Sequence, residues 1–193
     1  MSSSPSQTFT VLRGAEPLPP ALARPVLAIG NFDGVHRGHR AVIDTARAMA
    51  AQAGVGALAV TFEPHPRTFF APDRAPFRLT PEPAKLARLA ETGLQGAIVL
   101  PFTAELAALE AEAFVTDILM GRYQVSGVAV GFDFHFGRAR AGPAGFLKAS
   151  GERYGFDVTV VEPMQDEGDA ISSSAIRDAL ATGQVGHAAH MLG

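Results

Sequence analysis

The 193-residue chain has no cysteine and no tryptophan, and only two tyrosines. Without thiols it forms neither disulfides nor thiolate metal sites, which suits a reducing compartment and makes the cytoplasm the expected location. No apolar run approaches the roughly 18 residues of a membrane span. The start of the chain has no basic n-region and no apolar h-region, so residues 1–8 read as a short disordered tail rather than a secretory signal. An excess of positive charge is missing as well: 16 Lys and Arg against 19 Asp and Glu leave −3, with no sign of a general nucleic-acid binder. No internal repeat is visible. What is present is a chain of 47% hydrophobic residues, long enough for one domain with a sizeable core.

Hydrophobic periodicity, glycine stops and proline loops divide the chain into alternating elements. A candidate edge strand at 8–12 and a Pro-rich connector at 16–25 come first. Strands are expected at 26–31, 55–62, 96–100, 125–130 and 158–161. Helices are expected at 37–52, 81–92, 104–109, 112–120, 142–154 and 174–181, with Gly54, Gly93, Gly121 and Gly183 as stops. The segment 63–78 reads as a long loop. Continuous apolar strands separated by helices indicate a mainly parallel, five-stranded α/β sheet covered on both faces. The domain is expected to span 9–183, with 184–193 as a helical stub. Ligands of such sheets bind beyond the carboxyl ends of the strands, and the unusual loops at 30–36, 62–70, 131–142 and 163–173 all fall there.

The first of these loops is Gly30-Asn31-Phe32-Asp33-Gly34-Val35-His36-Arg37-Gly38-His39. A glycine-rich strand-to-helix turn presents free N–H groups and the positive end of a helix dipole, which favours phosphate. His36 and His39, at i and i+3, point the same way and add donors, and Gly38 leaves room for a close approach. Two surface histidines, or half of a metal site, are the plainer readings, but no cysteine exists and the other histidines lack ligand spacing. Asp33 suits either a Mg²⁺ ion or an N–H group of the turn. In Ile171-Ser172-Ser173-Ser174-Ala175-Ile176-Arg177, one serine is a helix cap. Arg177 opposes the dipole there unless an anion is bound. Phe62-Glu63-Pro64-His65-Pro66, running on to Phe69 and Phe70, gives a stiff rim with an aromatic face, or simply a packed loop. The stretch 131–142 joins glycines, Phe132, Phe134, Phe136, Arg138 and Arg140 into a flat cationic surface, although some of its phenylalanines are strand residues facing the core.

Gly30–His39, Phe62–Pro66, Arg78-Leu79-Thr80, Gly131–Gly142 and Ile171–Arg177 stand in the order and spacing of one family. Over residues 9–192 the chain resembles the FMN adenylyltransferase module of prokaryotic FAD synthetases, the bifunctional riboflavin kinase/FMN adenylyltransferases. These are His-x-Gly-His nucleotidyltransferases. The resemblance implies a Rossmann-like, doubly wound sheet and the substrates ATP and FMN with Mg²⁺. It implies that His36, His39 and Arg177 act on the phosphates, and that Gly30, Asn31, Phe32, Asp33, Gly38, Ser173 and Ser174 bind ATP. Pro64, His65, Pro66, Phe70, Asp133 and Phe136 would border the flavin. Three positions depart from the family pattern: Ser174 replaces a usual threonine, His135 a frequent arginine, and Ala170 a cation found in some members. No riboflavin kinase activity is expected of these residues. The activity implied is attack of FMN on the α-phosphorus of ATP. The alternatives are the same chemistry on another phosphorylated cofactor precursor, or a flavin- or nucleotide-binding module without catalysis.

Overall fold

A computed structural model describes residues 8–166 and 169–193, so seven of the eight residues of the expected tail lie outside the described residues. Strands β1 (Thr10–Arg13) and β2 (Val26–Ile29) precede α1 (Arg37–Ala53), β3 (Ala57–Glu63) and a short α2 (Pro66–Phe70). Helix α3 (Glu82–Ala90) leads to β4 (Gly96–Pro101), α4 (Ala104–Ala108) and α5 (Ala111–Ala113), which continues as a π-helical stretch, Phe114–Arg122. After β5 (Gly127–Gly131) come the two-residue strands β6 (His135–Phe136) and β7 (Gly142–Pro143), then α6 (Ala144–Tyr154) and β8 (Asp157–Val161). A second small pair, β9 (Gln165–Asp166) and β10 (Asp169–Ala170), precedes α7 (Ser173–Ala181) and α8 (Val185–Leu192).

The central sheet has six strands, not five, in the order β1-β4-β3-β2-β5-β8, and every pairing in it is parallel. The extra strand is the edge candidate at the N-terminus, which pairs with β4 so that Thr10 lies opposite Gly96. Glycine permits that pairing: a Cβ at Gly96 would stand 2.3 Å from the Thr10 carbonyl oxygen. Two loop readings also change. Within 63–78, Pro66 occupies the first position of α2 and the His65 side chain accepts from Arg67 N–H, so a helical turn forms where the prolines suggested only a stiff loop. Gly142 is drawn into the β6–β7 pair opposite Phe136, which delays α6 to Ala144.

Alternation along the strands separates two core layers. Leu27, Ile29, Leu58, Val60, Ile98, Leu100, Val128 and Val130 face α5, its π-helical extension and α6. Val26, Ala28, Ala57, Ala59, Ala97 and Ala129 face the opposite way, against Val42, Ile43, Ala46 and Ala50 of α1. Small side chains on both sides of that second layer let α1 lie close to the sheet and fix where its N-terminus points. Helix α8, within the expected stub, packs through Ala188 and Met191 on Ile176 and Ala179 of α7. No described helix is long and apolar enough to cross a membrane.

Chain progression runs from β2 outward to β3 and β4 on one side, and to β5 and β8 on the other. Its direction reverses between β2 and β5, where the loops leaving the two strands part and open a crevice. The loop after β2 is 30–36 and the loop after β5 is 132–134, so the topology brings two of the motifs together. Gly96→Ala should detach β1 from β4, at a cost of about 1–3 kcal/mol for a forced close contact. Chemical denaturation together with hydrogen exchange at residues 10–13 checks this. Unchanged protection there would show that β1 tolerates the displacement.

Candidate functional site

A cleft of about 1050 Å³ opens at that switch point. Of the residues singled out in the sequence, Gly30, Asn31, Phe32, His36, Gly38, His39, His65, Pro66, Phe70, Asp133, Phe136, Ser173, Ser174 and Arg177 line it. Asp33 and Pro64 do not. The cleft therefore gathers residues from all four loops, from Gly30 to Ser173.

The turn after β2 is strained and held from behind. Phe32 (φ 50°) and Val35 (φ 43°) both occupy the left-handed region, although neither is glycine and Val35 is β-branched. Such residues cost about 1–3 kcal/mol each and persist where their surroundings over-determine them. Both are buried, and between them lies Asp33, also buried. Its carboxylate accepts from Thr80 N–H (2.8 Å) and Leu79 N–H (3.2 Å) and is ion-paired with Arg177. Its carbonyl accepts from the Ser173 hydroxyl at 2.9 Å. Burial pushes the carboxyl of Asp33 up, but those N–H groups and the Arg177 guanidinium outweigh it and hold it below the ordinary carboxylate range. Asp33 thus bonds N–H groups of the 79–80 segment rather than one of its own turn. The anion that Arg177 meets at the start of α7 is this carboxylate of its own chain. Arg177 also donates through Nε to the Phe77 carbonyl, at 2.8 Å, and still forms part of the cleft wall.

His36 is the N-cap of α1: its Nδ1 accepts from His39 N–H at 3.2 Å. That bond fixes the neutral tautomer with the proton on Nε2, a donor. The two rings stack, with centroids 3.6 Å apart and planes 19° apart. Part of the space freed by Gly38 is used for this stack, because a Cβ there would lie 3.2 Å from His36 Nδ1 and 3.2 Å from the Ile171 carbonyl. Nδ1 of His39 is buried and makes no hydrogen bond. Burial lowers the pKa of His36 to about 4, with Asp33 opposing and Arg177 assisting. His39 is held well below its ordinary value by burial, by His36 and by Lys85. Both imidazoles are neutral at pH 7, so they contribute as N–H donors rather than as charges.

The facing wall comes from the ends of β3, β4 and β5. The Glu63–Pro64 bond is cis, and His65 and Pro66 follow it into the cleft. Phe69, Phe70 and Phe102 meet edge-on with centroids 5.3 to 5.7 Å apart, and Phe70 is 67% exposed. From the loop after β5, Phe132 is 51% exposed, whereas Phe136 is buried among Phe114, Phe134 and Phe146. Of that loop's aromatics, Phe132 therefore offers the open face. Ala139 and Arg140, at φ 53° and 60°, form a second strained turn on this rim. Arg67, Arg74, Arg138 and Arg140 make the mouth cationic.

Arg74 and Phe102 were not singled out in the sequence, since each lies outside the motifs. A third omission is deeper. Lys85 on α3 is 1% exposed, and its Nζ reaches Glu63 Oε1 (2.7 Å), Thr61 Oγ1 (2.9 Å) and the Asn31 carbonyl (3.3 Å). Arg78 clamps both oxygens of Glu63, at 2.7 and 3.0 Å, and lies 3.9 Å from Asp33. In sequence Lys85 is one more polar residue in an amphipathic helix, with no local sign of its burial.

Burial also lowers the pKa of His65 to about 4, as it does for His36, against an ordinary value of 6.5. Between those values the unfolded chain binds more protons than the folded one. Stability is therefore complete above about pH 6.5 and is lost as the pH falls towards 4, with a slope of about 1.4 kcal/mol per pH unit for each such histidine. His65→Asn keeps a cap acceptor and should flatten the acid limb of the unfolding free energy by one proton's worth. Identical slopes for the variant and the unaltered protein, in denaturant titrations at several pH values, would show that His65 is not held neutral.

Residues 19–175 match the family model described as FAD synthetase. The bifunctional riboflavin kinase/FMN adenylyltransferase of Escherichia coli K12 is 42% identical over 168 residues, covering 87% of this chain and 54% of that protein. Its counterpart in Pseudomonas fluorescens is 40% identical over 187 residues, covering 95% and 58%. A solved structure described as a macrolide-efflux protein from Streptococcus pneumoniae superposes with a TM-score of 0.80 at 25% identity, over 95% of this chain and 60% of that one. This chain spans a little over half the length of the two curated relatives. It belongs to the FAD synthetase family.

Proposed function

We propose that this chain is an FMN adenylyltransferase. A phosphate oxygen of FMN attacks the α-phosphorus of ATP, the bond to the β-phosphate bridging oxygen breaks, and FAD and pyrophosphate result. The observation that carries this reading is the double character of one cleft. One wall offers N–H and hydroxyl donors at two helix starts, from His36, His39 and Ser174, with Ser173 bracing the turn by donating to the Asp33 carbonyl. The other offers exposed aromatic faces at Phe70 and Phe132 with arginines around them. A triphosphate suits the first wall and an isoalloxazine ring the second, with the reacting phosphates between them. The family match and the names of the curated relatives support the choice of ATP and FMN.

In-line displacement needs no protein nucleophile, so the chain's work is alignment and charge stabilisation. The Nε2–H of His36, the ring of His39 and the hydroxyl of Ser174 meet the charge that grows on the α- and β-phosphates. Fixed neutral donors in a partly closed cleft do this without reorganising. Among the described residues no group of three or more His, Asp or Glu side chains is placed to hold a metal ion, and the Asp33 carboxylate already has its partners. Mg²⁺ is accordingly taken as part of the ATP substrate, held by its phosphates. The cysteine-free composition favours the cytoplasm as the setting.

Incubation with ATP, Mg²⁺ and either FMN or riboflavin tests the assignment: FAD and pyrophosphate are expected from FMN and not from riboflavin. His39→Ala should lower turnover by about 10²-fold or more, with FMN affinity changed far less; near-normal turnover would remove His39 from the mechanism. Phe132→Ala should weaken FMN binding by about 1–3 kcal/mol and leave the melting temperature unchanged. Phe136→Ala should instead cost about 3–5 kcal/mol of stability. Flavin-fluorescence titration and thermal melting separate the two. Unaltered FMN affinity in Phe132→Ala would place the ring elsewhere.

A further inference from the structure

A lysine that is 1% exposed needs a reason, because taking an ammonium out of water costs several kcal/mol unless it is fully partnered. Lys85 has three donors and finds three acceptors. One is Glu63 Oε1, at the end of β3. A second is Thr61 Oγ1, two residues earlier on the same strand. The third is the carbonyl of Asn31, just beyond the end of β2. Thr61 passes the contact on, since its hydroxyl donates to that same Asn31 carbonyl at 3.0 Å. Asn31 faces the cleft on the phosphate side, while Glu63 leads directly into the His65–Pro66 rim on the other side. The strand ladder stops short of this place: Ile29 opposite Val60 is the last β2–β3 pair. Beyond it, Gly30 N–H still bonds the Val60 carbonyl, at 3.1 Å. Further along, the side chain of Lys85 with Thr61 takes over.

We infer that Lys85 is a positioning residue that ties the end of β2 to the end of β3 and so sets the spacing between the two walls of the cleft. It touches neither substrate, because it is absent from the cleft lining. This rests on the adenylyltransferase reading only for its kinetic consequence; the tie itself is a property of the unliganded chain. Alignment of two bound reactants is steep in distance, such that a misplacement of about 1 Å costs about 10²-fold in rate. Loss of the tie should therefore appear in the reaction step and not in the affinity of either wall for its own ligand.

The test uses Lys85→Met, which keeps the length of the side chain, and Glu63→Gln/Lys85→Met, which also removes the carboxylate left behind. Two readouts are needed: kcat for FAD formation beside separately measured dissociation constants for ATP and FMN, and hydrogen exchange of residues 30–32 and 61–66 without ligand. Both variants are expected to lose at least about tenfold in kcat with each dissociation constant within about threefold, and to exchange faster in both segments. Recovery of kcat and exchange in the double variant would reduce Lys85 to a counter-ion and overturn the inference. So would equal losses in kcat and in both affinities, or exchange that does not change. Where Lys85→Met alone does not fold, the double variant and Lys85→Gln, still a donor but uncharged, carry the same readouts. If the unaltered protein makes no FAD, the proposed activity fails, and the exchange measurements decide the tie without it.

Discussion

The arrangement of this site depends on the carboxylate of Asp33 sitting where it does. Residues 32–35 follow a path that ordinary side chains avoid, with Phe32 and Val35 at positive φ. The path holds because Asp33 is anchored from two directions, by the N–H groups of Leu79 and Thr80 and by Arg177 of α7. Thr80 adds a reciprocal bond, accepting from Gly34 N–H at 2.9 Å. One buried acid thus joins the start of α1, the 77–80 segment and the start of α7. The two helix N-termini that face the cleft are locked to each other through it.

That acid belongs to a longer chain of charges. Lys85, Glu63, Arg78, Asp33 and Arg177 follow one another in contact or near contact behind the cleft. Three are cations and two are carboxylates, which leaves one positive charge in excess. Removing either carboxylate strands cations in a poorly solvated place, and such losses are far more costly than the net worth of the pair. The network is therefore better understood as a frame that permits one arrangement of five segments than as a store of stability.

Much of this was legible in the sequence, for identifiable reasons. Continuous apolar strands and glycine stops gave the parallel sheet, because both signals are local. The loops at 30–39 and 171–177 announced a helix-start anion site, because residue types there map directly onto cap chemistry. What escaped notice was non-local. The sixth strand, readable only as an edge candidate, is four residues long, and its pairing with β4 is what makes it part of the sheet. Asp33 and Arg177, each read as facing a ligand, lie 144 residues apart, and nothing in the sequence pairs them. Phe136 alternates like its neighbours, yet only tertiary packing decides that it is buried while Phe132 stands open. Lys85 is the extreme case, a helix residue whose partners sit on β3 and in the turn after β2.

Under the proposed adenylyl transfer, two central imidazoles that burial keeps neutral would face the phosphates. A cluster of fixed cations would bind substrate and product phosphates alike, and binding that is uniform along the reaction does not speed it. Neutral donors respond differently. Hydrogen bonds from imidazole and hydroxyl groups strengthen as charge builds on the oxygens they face, and a partly desolvated cleft magnifies the difference. Burial keeps both uncharged, Arg177 adding to it at His36, and His36 and Lys85 adding to it at His39. The buried cations behind them are already occupied by Glu63 and Asp33, so their role is to hold geometry. On that proposal, selectivity for the transition state over the bound substrates would arise from positioning, and the strained turn with its buried frame would keep that positioning fixed.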